Sequence, residues 1–192
     1  MLAEDEAIIR LDVRETLEAM GHQVLGETGR GDEALGLIDE HEPDIALLDI
    51  KMPGRDGLSV AREVAETHRC AVLVLTAFSQ ADLVKEAAQA GVLAYLVKPF
   101  QSNELMASVE VACARFEQMR ELAAERDELA ERLESRKVID RAKGLLIDAH
   151  SMSEADAFAF IQRSAMSGRE PMKDVANRIL EGVLAPDPNE GS

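Results

Sequence analysis

The chain has 192 residues, 46% of them apolar and only 3% aromatic, with no Trp and a formal net charge of −16. That length carries one domain and a modest second one, and a core restricted to Leu, Val, Ala, Ile and Met favours helices packed on a small sheet over an all-β sandwich. No apolar run approaches the roughly 18 residues of a membrane span, no signal-peptide pattern opens the sequence, and Cys70 and Cys113 lack metal-site spacing, so a membrane anchor, a thiolate metal site and a disulfide framework are disfavoured and a cytoplasmic location is expected.

In chain order, a stub of apolar residues, Met1-Leu2-Ala3, comes first. Helical periodicity follows over residues 7–20, with Gly21 as its stop. A short apolar run at 23–26 (QVLG) reads as a strand, and 31–41 as a helix. The runs at 44–48 (DIALL), 71–75 (AVLVL) and 93–97 (LAYLV) are five residues long and bounded by turn residues, as buried parallel strands are. Between them lie helical patterns at 58–68, entered through the turn Asp56-Gly57, and at 80–90, stopped by Gly91. This alternation predicts a doubly wound α/β sheet.

From about Asn103 the rhythm changes. No glycine or proline interrupts the chain from Gln101 to Lys143, which predicts one long helix, with Ser102 as its N-cap. Met119, Leu122, Leu129 and Leu133 recur at spacings of three, four and seven, with Arg126 breaking the seam. Two readings stay open for 116–134: a short coiled coil joining two copies of the chain, or a plain connecting helix. Ser153 and Asp156 form a loose capping box for a helix over 155–166, ended by Gly168. Pro171 opens a last helix to about Leu184. The tail, 185–192, is disordered by composition.

Charge is unevenly spread. Residues 1–115 hold 10 Lys/Arg against 21 Asp/Glu, whereas residues 135–184 hold 8 against 7. A locally neutral segment in an acidic chain points weakly to where a polyanion docks.

In sheets of this kind ligands bind beyond the carboxyl ends of the strands. There the sequence places Glu4, Asp5 and Glu6 after the first strand, Asp49 after the third, Thr76 after the fourth and Lys98-Pro99 after the fifth. Clustered carboxylates repel one another, and Mg2+, which favours carboxylate oxygens, water and phosphate, relieves that repulsion. A carboxylate can also attack phosphorus, and the transferred group needs cations or donors on its oxygens, which Lys98 and Thr76 can supply.

The runs DIKMPGRDG (49–57), TAF (76–78) and AGVLAYLVKPF (90–100) resemble a bacterial receiver domain over about 115 residues. The resemblance implies a flavodoxin-like sheet with strand order 2-1-3-4-5. It implies a phosphoacceptor at Asp49, charged by a sensor histidine kinase rather than by enzymatic turnover of its own. It implies Mg2+ held by Asp5, Asp49 and the backbone carbonyl of Lys51, with Glu4 reaching the metal through water. Thr76 would contact the phosphoryl group, Lys98 would pair with it, Thr76 and Tyr95 would switch, and Pro99 would be cis. Two departures stand out. Glu4 replaces the commoner Asp, and only three residues precede the acidic pair. The expectation is a start further upstream, or a short first strand that leaves gaps on two sides, weakens the domain and places Asp5 less firmly than Asp49.

Further on, SRKVIDRAKGLL (135–146) and EADAFAFIQRSAM (154–166) resemble the ANTAR family of antitermination modules. The resemblance implies a three-helix module that binds RNA hairpins in leader transcripts and prevents terminator formation, dimerised through the preceding helix. Arg136, Lys137, Arg141, Lys143, Arg163, Lys173 and Arg178 are candidates for a basic RNA-binding face. Gly144 costs about 1 kcal/mol inside a helix, which close approach of another backbone or of RNA would explain. Of Phe158 and Phe160, two apart and so on different faces, Phe158 is expected in the core. The expected organisation is therefore a receiver over 1–115, a linker helix over 116–134, an ANTAR module over 135–184 and the tail. The expected function is a phosphorylated response regulator acting on RNA. A phosphorylation-dependent protein adaptor that binds no RNA is the alternative.

Overall fold

The computed structural model describes residues 1–77 and 81–186. Phe78 of the TAF motif, Gln80 at the expected start of the fourth helix, and residues 187–192 of the expected disordered tail lie outside the described residues. Two compact units divide the chain, Met1–Leu122 and Ala123–Ser192.

The first unit alternates β1 (Leu2–Ala3), α1 (Ala7–Ala19), β2 (Glu27–Thr28), α2 (Gly31–His41), β3 (Ile45–Asp49), α3 (Gly57–Thr67), β4 (Ala71–Thr76), α4 (Ala81–Gln89) and β5 (Ala94–Val97). All strand pairs are parallel, and the order is β2-β1-β3-β4-β5. The sheet is buried on both faces because side chains alternate along each strand. On one face Ala3, Leu48, Val72 and Val74 pack with Ile38 of α2 and Val64 of α3. On the other, Leu2, Leu47, Leu73 and Leu75 pack with Val13 and Leu17 of α1. Leu105 and Val109, from the first turns of the following helix, complete that second layer.

The first strand is short yet holds its central place. Its two residues are fully buried and pair with both β2 and β3. The Met1 ammonium donates to the Ile45 carbonyl at 2.9 Å, and burial pulls it below its ordinary pKa. The expected gaps on two sides of this strand are therefore filled over Leu2 and Ala3. The expected strand at 23–26 is displaced to Glu27–Thr28. A ladder needs a partner, and β1 offers only Leu2 and Ala3, opposite Glu27 and Thr28; Gly26 contributes just its carbonyl, to Leu2 N–H at 3.0 Å. Val24 instead packs half-buried against the core. Cys70 is buried, and its thiol is pushed up to about 11 by desolvation; Cys113 is half-buried.

The boundary between the units falls within α5 (Ser102–His150), an uninterrupted 49-residue helix. Ser102 is its first helical residue rather than its N-cap; the Glu104 carboxylate reaches back to the Gln101 N–H at 2.8 Å instead. In the second unit α5 is followed by α6 (Glu154–Gly168) and α7 (Met172–Leu180). Ser153 caps α6 as expected, accepting from Asp156 N–H. The left-handed residue that ends α6 is Arg169, not Gly168, which stays helical. Pro171 is the N-cap of α7. Val138, Ala142 and Leu146 of α5 meet Ala157, Ile161 and Ala165 of α6 and Val175, Ala176 and Ile179 of α7 in one small core.

Leu73 is fully buried at the sheet's centre. Leu73→Ala should lower the unfolding free energy by about 2–5 kcal/mol, read as a fall in the urea midpoint at unchanged slope.

Candidate functional site

The carboxyl ends of the parallel strands bring the acidic residues together. Glu4 follows β1, and Asp49 closes β3 beside it. The carboxylates of Glu4, Asp5 and Asp49 each place one oxygen within 4.8 Å of the others. Their burial differs: Glu4 and Asp49 are buried, whereas Asp5 is exposed. The backbone fixes the two buried acids. Lys51 N–H donates to Asp49 Oδ2 at 3.1 Å, Glu6 N–H donates to Glu4 Oε1 at 3.3 Å, and Arg10 Nη1 donates to the Glu4 carbonyl at 2.6 Å.

Behind Asp49 the chain turns sharply into α3. A side chain on Gly57 would come within 2.0 Å of the Asp49 carbonyl, so glycine is required at this position. Asp56 caps α3 through Ser59 N–H at 2.9 Å.

Lys98 closes the site from the far side of the sheet. Its own N–H donates to the Thr76 carbonyl at 2.7 Å, which continues the β4–β5 ladder by one rung. The Lys98-Pro99 peptide is cis. The ammonium lies 2.8 Å from Asp49 Oδ1 and 2.5 Å from Glu4 Oε2. With Asp49 it makes a hydrogen bond. With Glu4 it makes an ion contact off the hydrogen-bonding direction, so Glu4 Oε2 is buried with no aligned donor. The side chains of Glu4, Asp49 and Lys98 are 0%, 9% and 11% exposed. Burial raises Glu4 above its ordinary pKa against the pull of Lys98. Burial opposes the charge on Lys98 too, but its hydrogen bond to Asp49 and its ion contact with Glu4 win and hold it above its ordinary value.

Of the other expected residues, Thr76 is buried at the end of β4, the strand next to β3. Lys51 has an exposed side chain and lines, with Asp5, a cleft of about 600 Å³. Glu86 of α4 lines the same cleft; nothing in the sequence pattern singled it out, because it sits mid-helix in no motif. Tyr95 lies on β5 opposite Val74. Its half-exposed side chain faces a different hollow, shared with Val92 and Val111.

The donor set fits a hard divalent cation. It offers three carboxylates from two adjacent strand ends, one of them solvent-facing, and a buried Glu4 oxygen without an aligned donor; Mg2+ takes such oxygens and keeps several waters.

In the second unit the candidate basic residues do not share one face. On α5, Arg136 and Lys143 are seven apart and lie on one flank, while Lys137 and Arg141 lie on the opposite flank. Arg136, Lys137 and Arg141 are exposed. Lys143 is 16% exposed and tied to Asp140 at 2.9 Å and Glu154 at 3.0 Å, joining α5 to α6. Arg163 is exposed on α6, Lys173 is half-buried on α7, and Arg178 bonds Glu170 at 2.6 Å. Gly144 has open space where a side chain would stand, so no neighbouring backbone of this chain explains it. Phe158 is not in the core. It is exposed, and Phe160 packs against the core instead. Ala157, Ile161 and Ala165 carry the buried stripe of α6, and Phe160 packs beside it with Ile139 and Met172 around the same core.

The family model of the response regulator receiver domain matches residues 1–110, and that of the ANTAR domain matches residues 127–180. The chain is 48% identical to the transcriptional regulatory protein PdtaR of Mycobacterium tuberculosis over 97% of its own length and 91% of that protein's. It is 30% identical to the chemotaxis protein CheY of Bacillus subtilis over 57% of its length and 92% of that protein's. Among solved structures, the signal receiver domain of the putative response regulator NarL from Mycobacterium tuberculosis superposes with a TM-score of 0.57 at 34% identity, covering 59% of this chain and 93% of that one. No helix among the described residues is long and apolar enough to cross a membrane.

Lys98→Ala should remove about 1–3 kcal/mol of stability at pH 7, because two carboxylates are left facing each other without their cation. The raised Glu4 carboxyl takes up a proton as the pH falls towards its ordinary 4.5. The difference between variant and parent should therefore shrink over that interval, measured by urea denaturation at both pH values.

Proposed function

The chain belongs to the response regulator family, with a receiver domain followed by an ANTAR domain, and on that premise we propose that it carries a phosphoryl signal from a sensor histidine kinase at Asp49 to an RNA-binding helical module. The observation that carries this reading is the cluster of Glu4, Asp5 and Asp49 with the Lys98 ammonium on Asp49.

A carboxylate oxygen of Asp49 attacks phosphorus. An oxygen–phosphorus bond forms as the phosphorus–nitrogen bond of the kinase's phosphohistidine breaks, and the imidazole leaves with the bonding electrons. Asp5, Asp49 and the Lys51 carbonyl would hold Mg2+, with Glu4 acting through water. Bound there, Mg2+ would supply positive charge against the carboxylates and the phosphoryl oxygens. Lys98 exchanges its bond to the carboxylate for one to a phosphoryl oxygen, and the Thr76 hydroxyl turns towards another. The new group adds about two negative charges to an already acidic mouth. Thr76 and Tyr95 respond at the ends of β4 and along β5, which is the switch. The protein is a phosphoacceptor rather than a turnover enzyme, and it works in the cytoplasm.

The output is capture of hairpins in leader transcripts, which prevents a terminator from forming. Arg136, Lys137, Arg141, Lys143, Gly144, Arg163 and Lys173 are the proposed contact set, and the 116–134 stretch of α5 pairs two copies. The domain limits proposed are 1–115 for the receiver, 116–134 for the linker helix, 135–184 for the ANTAR module and 185–192 for the tail. The exposure of Leu122, Leu129 and Leu133 on one helix supports the pairing.

Incubation of the full chain with Mg2+ and acetyl phosphate should add one phosphoryl group, read by intact mass, and Asp49→Asn should add none. Equal labelling of the two proteins would contradict the assignment.

A further inference from the structure

Phe158 is 43% exposed. It lines a groove of about 630 Å³ between α5 and α6, together with Ser135, Arg136, Ile139 and Lys143. The groove is neither an apolar cleft nor a basic trough. Among the described residues Phe158 and Ile139 are its apolar lining; Glu128, Glu131 and Asp140 alternate with Arg132, Arg136 and Lys143 along the α5 wall.

A protein partner anchors on a desolvated apolar centre from which charge is depleted, and this groove has charge throughout. A nucleobase asks for something else: one π face to stack on, with cations nearby for the adjoining phosphates. Arg132 and Arg136 stand one turn apart on the same flank of α5. Their present ion pairs, with Glu128 at 2.6 Å and Asp140 at 3.9 Å, are open to solvent. Such pairs contribute little and exchange readily for phosphate. Lys143 differs. Held by Asp140 on its own helix and by Glu154 at the start of α6, and mostly covered, it ties α5 to α6 beside the groove.

We propose that the α5–α6 groove seats one unpaired base of an RNA loop, stacked on the Phe158 ring, with Arg132 and Arg136 on the flanking phosphates and Lys143 as a positioning residue. This rests on the RNA-binding reading above and specifies its chemistry: an unstacked loop base, gripped by stacking more than by charge.

The test uses the full chain and a panel of fluorescein-labelled RNA hairpins with one common stem and randomised loops. Hairpins retained by the parent are titrated against Phe158→Ala, Phe158→Leu and Phe158→Trp. The first two should weaken binding roughly 5- to 150-fold, the range that stacking on one base gives. Phe158→Leu keeps apolar volume and removes the π face, and Phe158→Trp should keep parental affinity. An abasic nucleotide at one loop position should weaken the parent by a similar factor and leave Phe158→Ala unchanged, since both remove the same contact. Parental affinity in Phe158→Ala and Phe158→Leu, or losses that add fully with every abasic position, overturns the inference while the RNA reading stands. Retention of no hairpin by the parent overturns the RNA reading, and this inference with it.

Discussion

One lysine between two buried carboxylates organises the first unit. Lys98 stands after the edge strand β5, and its targets stand at the ends of β3 and β1, across the intervening β4. Only a side chain with a long aliphatic stem bridges that distance while keeping its charge at the far end. The strand order makes the reach possible, since it sets β1 and β3 side by side and so puts Glu4, Asp5 and Asp49 in one mouth. Each part is costly alone: two carboxylates side by side repel, and a half-buried ammonium loses water. Together they offset one another. On Glu4 burial outweighs the pull of Lys98 and raises its pKa above the ordinary value.

The second unit follows another rule. Its core is a narrow stripe of Val, Ala, Leu and Ile from three helices, and small Ala residues let α6 and α7 approach closely. What that core leaves outside is therefore informative. Phe158, Arg132 and Arg136 are not needed for packing, whereas Lys143 ties two helices together through Asp140 and Glu154. A lysine that is a candidate for the RNA-binding face also links two helices, and a phenylalanine expected in the core is surface.

Much of this was legible in the residues. The strands at β3, β4 and β5 are continuous apolar runs whose ends fall within a residue or two of the expected ones, because burial on both faces leaves no alternation to misread. The acids and Lys98 were found because strand ends mark where such sheets bind ligands. The errors share a cause: they concern choices made by partners far off in sequence. β2 moved to Glu27–Thr28 because β1 offers only two rungs. Ser102 lost the cap to Glu104, whose longer arm reaches the Gln101 N–H. Phe158 and Phe160 were indistinguishable by type, and contacts with side chains far off in sequence cover Phe160 and leave Phe158 exposed. The seven basic residues looked like one face in sequence, but a helix of 3.6 residues per turn sends Arg136 and Arg141 to opposite flanks.

Glu4, Asp5, Asp49 and Lys98 form one charge-coupled pocket at the ends of the strands. Calorimetric titration of Mg2+ into the full chain tests it most directly, with Asp5→Asn and Asp49→Asn beside the parent. Saturable binding by the parent that disappears in both variants is the outcome expected. Undiminished binding in both would mean that the cation sits elsewhere, and the pocket would lose its part in the account.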